Sequence, residues 1–308
     1  MKLEAAITGF ARQQAADGRS GHTRAAYRRD LGALRRWLGD DADLRRITPD
    51  DLARFLTSDA VLLTPDGHPR APITVNRTKS ALRSFFGFCL ESGWIRENPA
   101  RLIRSARTTA REPATLTEAE IQRLRQALPN RSETLARRGG QAQRDRLIFE
   151  LLLGTGIRLG SLVGLDLGDV DLESGVLHIR AKGGAQERVF LNPMLVRMLG
   201  RFLRNNAPEA NCGPQVPLFR SRWGTRLGPR PIQLRFAALC RKAGISPASG
   251  GQARRVSIHS LRHTFATRLY HKTGDLYLVQ RALGHRHITT TEIYARVGDQ
   301  QLRRAVAG

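Results

Sequence analysis

From residue 3 to about residue 100, apolar positions recur at three and four residue spacing, as in Ala25, Leu31, Leu34 and Leu38 and again in Ile73, Leu82, Phe85 and Phe86. That period predicts helices with one buried face, and no alternating, strand-like run interrupts it. Thr48-Pro49-Asp50-Asp51 predicts a helix start: the hydroxyl caps, the proline suits the first turn, and the acids face the positive end of the helix dipole. Leu62 to Pro72 predicts a loop rich in proline and glycine. Arg101, Arg104, Arg107 and Arg111 lie in a stretch ending at Pro113 that has few large apolar groups, which predicts an extended basic linker. Thr117 to Glu120 then reads as a capping box that opens a second domain.

In that second domain the period changes. Val176 to Arg180 and Glu187 to Leu191 alternate on either side of Lys182-Gly183-Gly184, which predicts a β-hairpin with a lysine at its tip. Helical patterns resume at Pro193 to Arg204, Ile232 to Ala243, His259 to His271 and Asp275 to Leu283. The fold class expected is mainly α with a small β-sheet. At 308 residues the chain exceeds what one core usually serves, so the division expected is a helical domain over 1–105, a basic linker over 106–113 and a second domain over 114–308.

Composition adds a partner to this outline. Lys and Arg number 51 against 27 Asp and Glu, a formal charge of +24. Only Lys2, Lys79, Lys182, Lys242 and Lys272 are lysines. Codon bias accounts for arginine over lysine, but not for bases over acids, and nucleic acid is the polyanion that best fits such a surplus. A membrane surface is the second reading of charge alone, yet no stretch has the length and apolarity of a span or a leader. Cys89, Cys212 and Cys240 are odd in number and share no short spacing, which argues against a disulfide framework or a zinc ribbon and fits a reducing cytoplasm. Arg24, Arg28, Arg77, Lys79, Arg104 and Arg107 are candidate contacts to a DNA backbone.

Three local patterns carry candidate chemistry: Gly154-Thr155-Gly156-Ile157-Arg158-Leu159-Gly160, then His259-Ser260-Leu261-Arg262-His263, then Leu283-Gly284-His285 followed by Tyr294. None is specific alone. The glycines do not make a dinucleotide fingerprint, because the third falls one place late and the preceding apolar run continues a helix. His259 and His263 have metal-ligand spacing, but no glutamate follows the first and no third ligand is evident.

Taken in this order, with the Lys182 hairpin between the first two, the patterns resemble the tyrosine recombinase (phage integrase) family, in its Xer-like, simple-integrase branch. Thr23 to Leu31 is similar to the opening helix of that family's core-binding domain, so the resemblance spans nearly the whole chain. It implies a helical, SAM-like core-binding domain followed by a mixed α/β catalytic domain with a C-terminal tail. It implies a site-specific DNA recombinase that cuts and rejoins strands through a 3′-phosphotyrosine, with no cofactor and no metal. The partners implied are double-stranded DNA bearing specific recombination sites and a homo-tetramer assembled on it, alone or with a related recombinase. The setting implied is the cytoplasm of a bacterium, at the nucleoid.

The residues make chemical sense of this. Attack on a phosphodiester concentrates negative charge on its non-bridging oxygens, which fixed cationic forks such as Arg158 and Arg262 stabilise. His259 lies three residues before Arg262 at a helix start, so both address one phosphate; its imidazole suits the base that activates a tyrosine hydroxyl. His285 would donate a hydrogen bond to the phosphate, and His263 would be a packed residue. Lys182 would protonate the departing 5′ oxygen. Tyr294 would be the nucleophile; Tyr270 and Tyr277 lie in helical patterns with no preceding Gly-His and read as core or interface residues.

Two rivals remain at this point. A type IB topoisomerase shares the chemistry, and a non-catalytic DNA-binding regulator shares the charge. The recombinase reading further expects the two domains to grip the duplex from opposite faces and the tail, with Leu302 and Val306 four apart, to dock on a neighbouring subunit. With no arm-binding segment before Met1, long accessory DNA sites are not expected. The hairpin reads Ala-Lys-Gly-Gly-Ala where the nearest branch has a Gly-Lys-Gly turn.

Overall fold

The computed structural model describes residues 1–106, 114–129, 139–180, 186–206, 213–245, 256–284 and 291. The chain divides into two compact units, Met1–Ala110 and Arg111–Gly308.

In the first unit, α1 (Leu3–Ala16), α2 (Gly21–Leu38), α3 (Pro49–Thr57), α4 (Asp59–Leu62) and α5 (Pro72–Glu91) surround one apolar core. Leu3, Leu31, Leu34, Leu52, Phe55, Leu82, Phe85 and Phe86 are almost fully buried in it. Thr48 forms the expected capping box, accepting from the Asp51 N–H while Asp51 accepts from the Thr48 N–H. Two positions of the apolar series fall outside the core: Ala25 is exposed, and Ile73 is 73% exposed. At ~100° per residue each lies about half a turn from Leu34 or Leu82, on the opposite side of its helix.

Two further expectations meet the structure here. Arg77 is not a free cation, since its Nε and Nη2 donate to the two carboxylate oxygens of buried Asp30 at 2.9 and 2.8 Å, while its side chain stays 38% exposed. Burying a carboxylate requires such a partner, and that requirement claims the guanidinium. The start of the linker is not an extended tether either. Asn76 on α5 donates to the Ala106 carbonyl and accepts from the Ala106 N–H, at 2.8 and 2.9 Å, while Arg83 donates to the Ile103 carbonyl at 3.0 Å. Residues 103 to 106 thus lie pinned along α5.

The second unit contains α6 (Glu118–Ala127), α7 (Gly139–Thr155), α8 (Leu159–Gly164), β1 (Val170–Asp171), β2 (Val176–Arg180), β3 (Gln186–Phe190), α9 (Pro193–Asn205), α10 (Pro229–Lys242), α11 (Ile258–Thr273) and α12 (Leu276–Leu283). The strands form an antiparallel sheet in the order β1-β2-β3, with Leu177 opposite Val189 and Arg180 opposite Gln186. This is the expected hairpin, its second strand beginning one residue earlier than the alternation suggested. Leu151, Leu162, Leu177, Leu195, Leu199, Phe219 and Leu261 meet in the core. Thr117 and Glu120 form the predicted capping box on α6. Tyr270 packs against Ala266, Val279 and Leu283, whereas Tyr277 is 73% exposed and belongs to no core. No described helix is long and apolar enough to cross a membrane.

Candidate active site

α7 ends where Gly156 takes a left-handed φ of +63°. No side chain fits there, since a Cβ would come within 2.4 Å of the Phe265 ring. The turn releases Ile157 and places Arg158 as the N-cap residue of α8. The far end of that short helix is held by Arg226, whose Nη1 donates to the carbonyls of Val163 and Leu165 at 3.0 and 3.1 Å. α12 ends on a second left-handed glycine, Gly284, with φ +58°.

Arg262, on the second turn of α11, joins these two helix ends. Its Nη1 donates to the Gly156 carbonyl at 2.6 Å and its Nη2 to the Leu283 carbonyl at 2.7 Å. The side chain belongs to a residue only 9% exposed. A guanidinium so enclosed is tolerated because its fork meets carbonyls at helix C-termini, where the backbone carries partial negative charge. Arg158, solvent-exposed, donates through Nη2 to the Gly284 carbonyl at 3.3 Å across a sequence separation of 126 residues. The two arginines therefore converge on one peptide turn, Leu283-Gly284.

His259 is exposed on the first turn of α11, three residues before buried Arg262. Next on the same face, His263 is half-buried, and its pKa is lowered to about 4, first by burial and then by the charges of His259 and Arg262. It stays neutral near pH 7, as a packed residue would. α11 is in turn tied to the start of the unit: the Leu116 N–H donates to Thr264 Oγ1 at 2.8 Å, and Arg268 pairs with Glu118.

Lys182, His285 and Tyr294 lie outside the described residues, as does Arg107. Their chain neighbours are placed. Arg180 and Gln186 bracket the Lys182 segment, Gly284 precedes His285, and fully buried Thr291 stands three residues before Tyr294. Of the other candidate DNA contacts, Arg24 and Arg28 are exposed on consecutive turns of α2, Arg104 is exposed, and Lys79 is half-exposed.

Three contributors escaped sequence reading. Arg226 and Thr264 work by holding backbone, for which one sequence offers no signal. Glu187 on β3 is the third: its carboxylate fills the space beside Gly284, so that a Cβ there would meet Oε2 at 2.5 Å. The glycine after α12 marked the turn, but not its neighbour.

Comparison with known proteins bears on this arrangement. Residues 114–301 match the model of the phage integrase family, and residues 10–93 match the N-terminal SAM-like domain of phage integrases. The chain belongs to the phage integrase family. This family member is 32% identical to tyrosine recombinase XerD of Lacticaseibacillus casei over 91% of its own length and 89% of the relative's. It is also 32% identical to tyrosine recombinase XerC of Xylella fastidiosa (strain 9a5c), over 92% and 89%. Among solved structures, XerH recombinase bound to a palindromic difH substrate matches with a TM-score of 0.72 at 23% identity, covering 92% of this integrase and 79% of that chain. A lambda integrase tetramer bound to a Holliday junction matches with a TM-score of 0.68 at 23% identity, covering 94% and 79%. At those identities the two structures speak for the fold, a SAM-like helical unit and a mixed catalytic unit, as the sequence predicted.

Proposed function

We infer that this integrase is a tyrosine-type site-specific recombinase that cuts and rejoins double-stranded DNA, and that the turn where Arg158 and Arg262 converge is where it holds the scissile phosphate. The observation that carries the reading is that convergence: two guanidinium groups, distant in sequence, meet at the residue pair immediately before His285. Arg262 is oriented by carbonyls on two helices, and Arg158 offers the rest of its fork to solvent, the arrangement needed to receive non-bridging phosphate oxygens.

In the mechanism proposed, the Tyr294 oxygen attacks phosphorus, the bond to the 5′ oxygen breaks, and a 3′-phosphotyrosine forms. His259 takes the tyrosine proton, Lys182 gives a proton to the 5′ oxygen, and His285 donates a hydrogen bond to the phosphate. A 5′ hydroxyl from a second duplex then reverses the step. Residues 1–105 and 114–308 supply DNA-binding and cutting functions, with Arg24, Arg28, Lys79 and Arg104 on phosphates. Four copies act on two sites, an assembly supported by the likeness to lambda integrase, which binds a Holliday junction as a tetramer. They do so either alone or with a related recombinase, and the tail from Leu302 docks on a neighbouring copy.

The test uses duplexes from the gene's own genomic neighbourhood, nicked so that the cut fragment diffuses away. The expected result is protein joined to a 3′ DNA end, with Tyr294→Phe still binding DNA but joining none. Attachment by the phenylalanine variant, or relaxation of plasmid by a monomer without sequence preference, would overturn the reading.

A further inference from the structure

Glu187 presents a half-buried carboxylate directly against Gly284, and it forms no hydrogen bond or ion pair with another described residue. A carboxylate without a described partner at the C-terminal end of a helix faces carbonyls that are already partly negative. The same two-residue turn resolves the conflict: the Leu283 carbonyl accepts from Arg262 and the Gly284 carbonyl from Arg158. Two fixed cations thus lie behind the turn that Glu187 touches. Glu187 also stands opposite Ile179 in the hairpin, one step from the Arg180–Gln186 pair that closes the loop holding Lys182.

We propose that Glu187 is a positioning residue, whose carboxylate seats the β2–β3 hairpin on the Leu283-Gly284 turn and thereby brings the Lys182 loop to the phosphate held by the two arginines. The carboxylate acts through the turn that it meets. It draws the strand towards the arginine-backed turn by charge, and the left-handed glycine provides the room. The proposal rests on the reading of Lys182 as the general acid.

That dependence supplies a readout that a merely structural role would not move. In ordinary DNA the P–O5′ bond breaks as the 5′ oxygen takes a proton from Lys182. In DNA with sulfur at that bridging position the P–S bond breaks and a thiolate departs without one, because thiolates are stable near neutral pH. Single-turnover cleavage of both substrates is measured for the parent, Lys182→Ala, Glu187→Ala and Glu187→Gln, with melting and DNA binding measured alongside. Removal of a general acid slows cleavage by about 10²-fold or more. Both Glu187 variants are expected to slow the ordinary substrate by about tenfold or more, to regain the parent rate within about threefold on the sulfur substrate, and to melt and bind as the parent does. Glu187→Gln keeps the shape without the charge, so its cleaving ordinary DNA at the parent rate overturns the proposal. So does an equal defect of the Glu187 variants on both substrates while Lys182→Ala recovers on sulfur. If Lys182→Ala itself fails to recover, the general-acid reading falls and takes this proposal with it.

Discussion

Replacing Arg262 by lysine keeps the charge and removes the fork. In the folded protein the guanidinium spans the Gly156 and Leu283 carbonyls at 2.6 and 2.7 Å, in a position 9% exposed. A lysine ammonium reaches one of these carbonyls, and leaving the other buried without a donor costs about 1–3 kcal/mol. For a domain of this size a loss of about 2 kcal/mol lowers the melting temperature by about 4–8 °C. Arg158→Lys loses only one longer bond, 3.3 Å at an exposed side chain, so its melting temperature should stay within about 2 °C of the parent's. Both variants should nevertheless lose about 10²-fold or more in single-turnover cleavage, because each removes a fixed donor from the proposed phosphate site. Calorimetry and cleavage of a nicked duplex, run on the same preparations, test the contrast. If Arg262→Lys melts like the parent, the arginine does not clamp the two helix ends; if Arg158→Lys cleaves at full rate, the turn is not the phosphate site.

Other outcomes follow from the same geometry. Arg77→Ala strands the buried Asp30 carboxylate and, with the arginine itself partly exposed, should destabilise the first unit by about 2–3 kcal/mol in urea unfolding; a loss of DNA affinity with unchanged stability would restore Arg77 to the role of phosphate contact. Arg24→Ala and Arg28→Ala should leave stability unchanged and each reduce the slope of log affinity against log salt by about 0.9, and an unchanged slope removes these residues from the DNA-binding surface. Gly156→Ala, forced to φ +63° and to 2.4 Å from Phe265, should cost about 2–4 kcal/mol, seen as a lowered denaturant midpoint. His263 carries a folded pKa lowered to about 4, so the unfolded chain binds the extra proton: the stabilisation is complete above about pH 6.5 and is lost as pH falls towards 4. Discounted for its partial exposure, the effect is about 1–2 kcal/mol, and His263→Gln should flatten that limb of the stability profile; a limb that keeps its steepness in the variant assigns it to another group.

Much of this architecture was written in local pattern. The capping boxes at Thr48 and Thr117, the hairpin around Lys182 and the four later helices depend on residues within a turn or two of one another, so a single chain displays them. The order of Arg158, Lys182, His259, Arg262, His285 and Tyr294 was legible only as a resemblance to a family, because the short motifs that carry them lie far apart in the chain. What local pattern could not display has the opposite character. Arg77 looked like any exposed helical base until buried Asp30, far away in the chain, claimed it, and the linker's first residues looked unattached until Asn76 and Arg83 met them.

The sequence by itself determined the periods, the order of the later helices and the hairpin, the surplus of positive charge and the chemical types available for strand cleavage. Those are properties of residue identity and short spacing. Only the tertiary structure decided how each cation is held: Arg77 is paired with buried Asp30, Arg262 is locked between the ends of two helices, and Arg158 leaves most of its fork exposed. The physical reason is that a charge acquires its role from what surrounds it. Desolvation and hydrogen-bond partners come from residues that the fold brings together from distant parts of the chain.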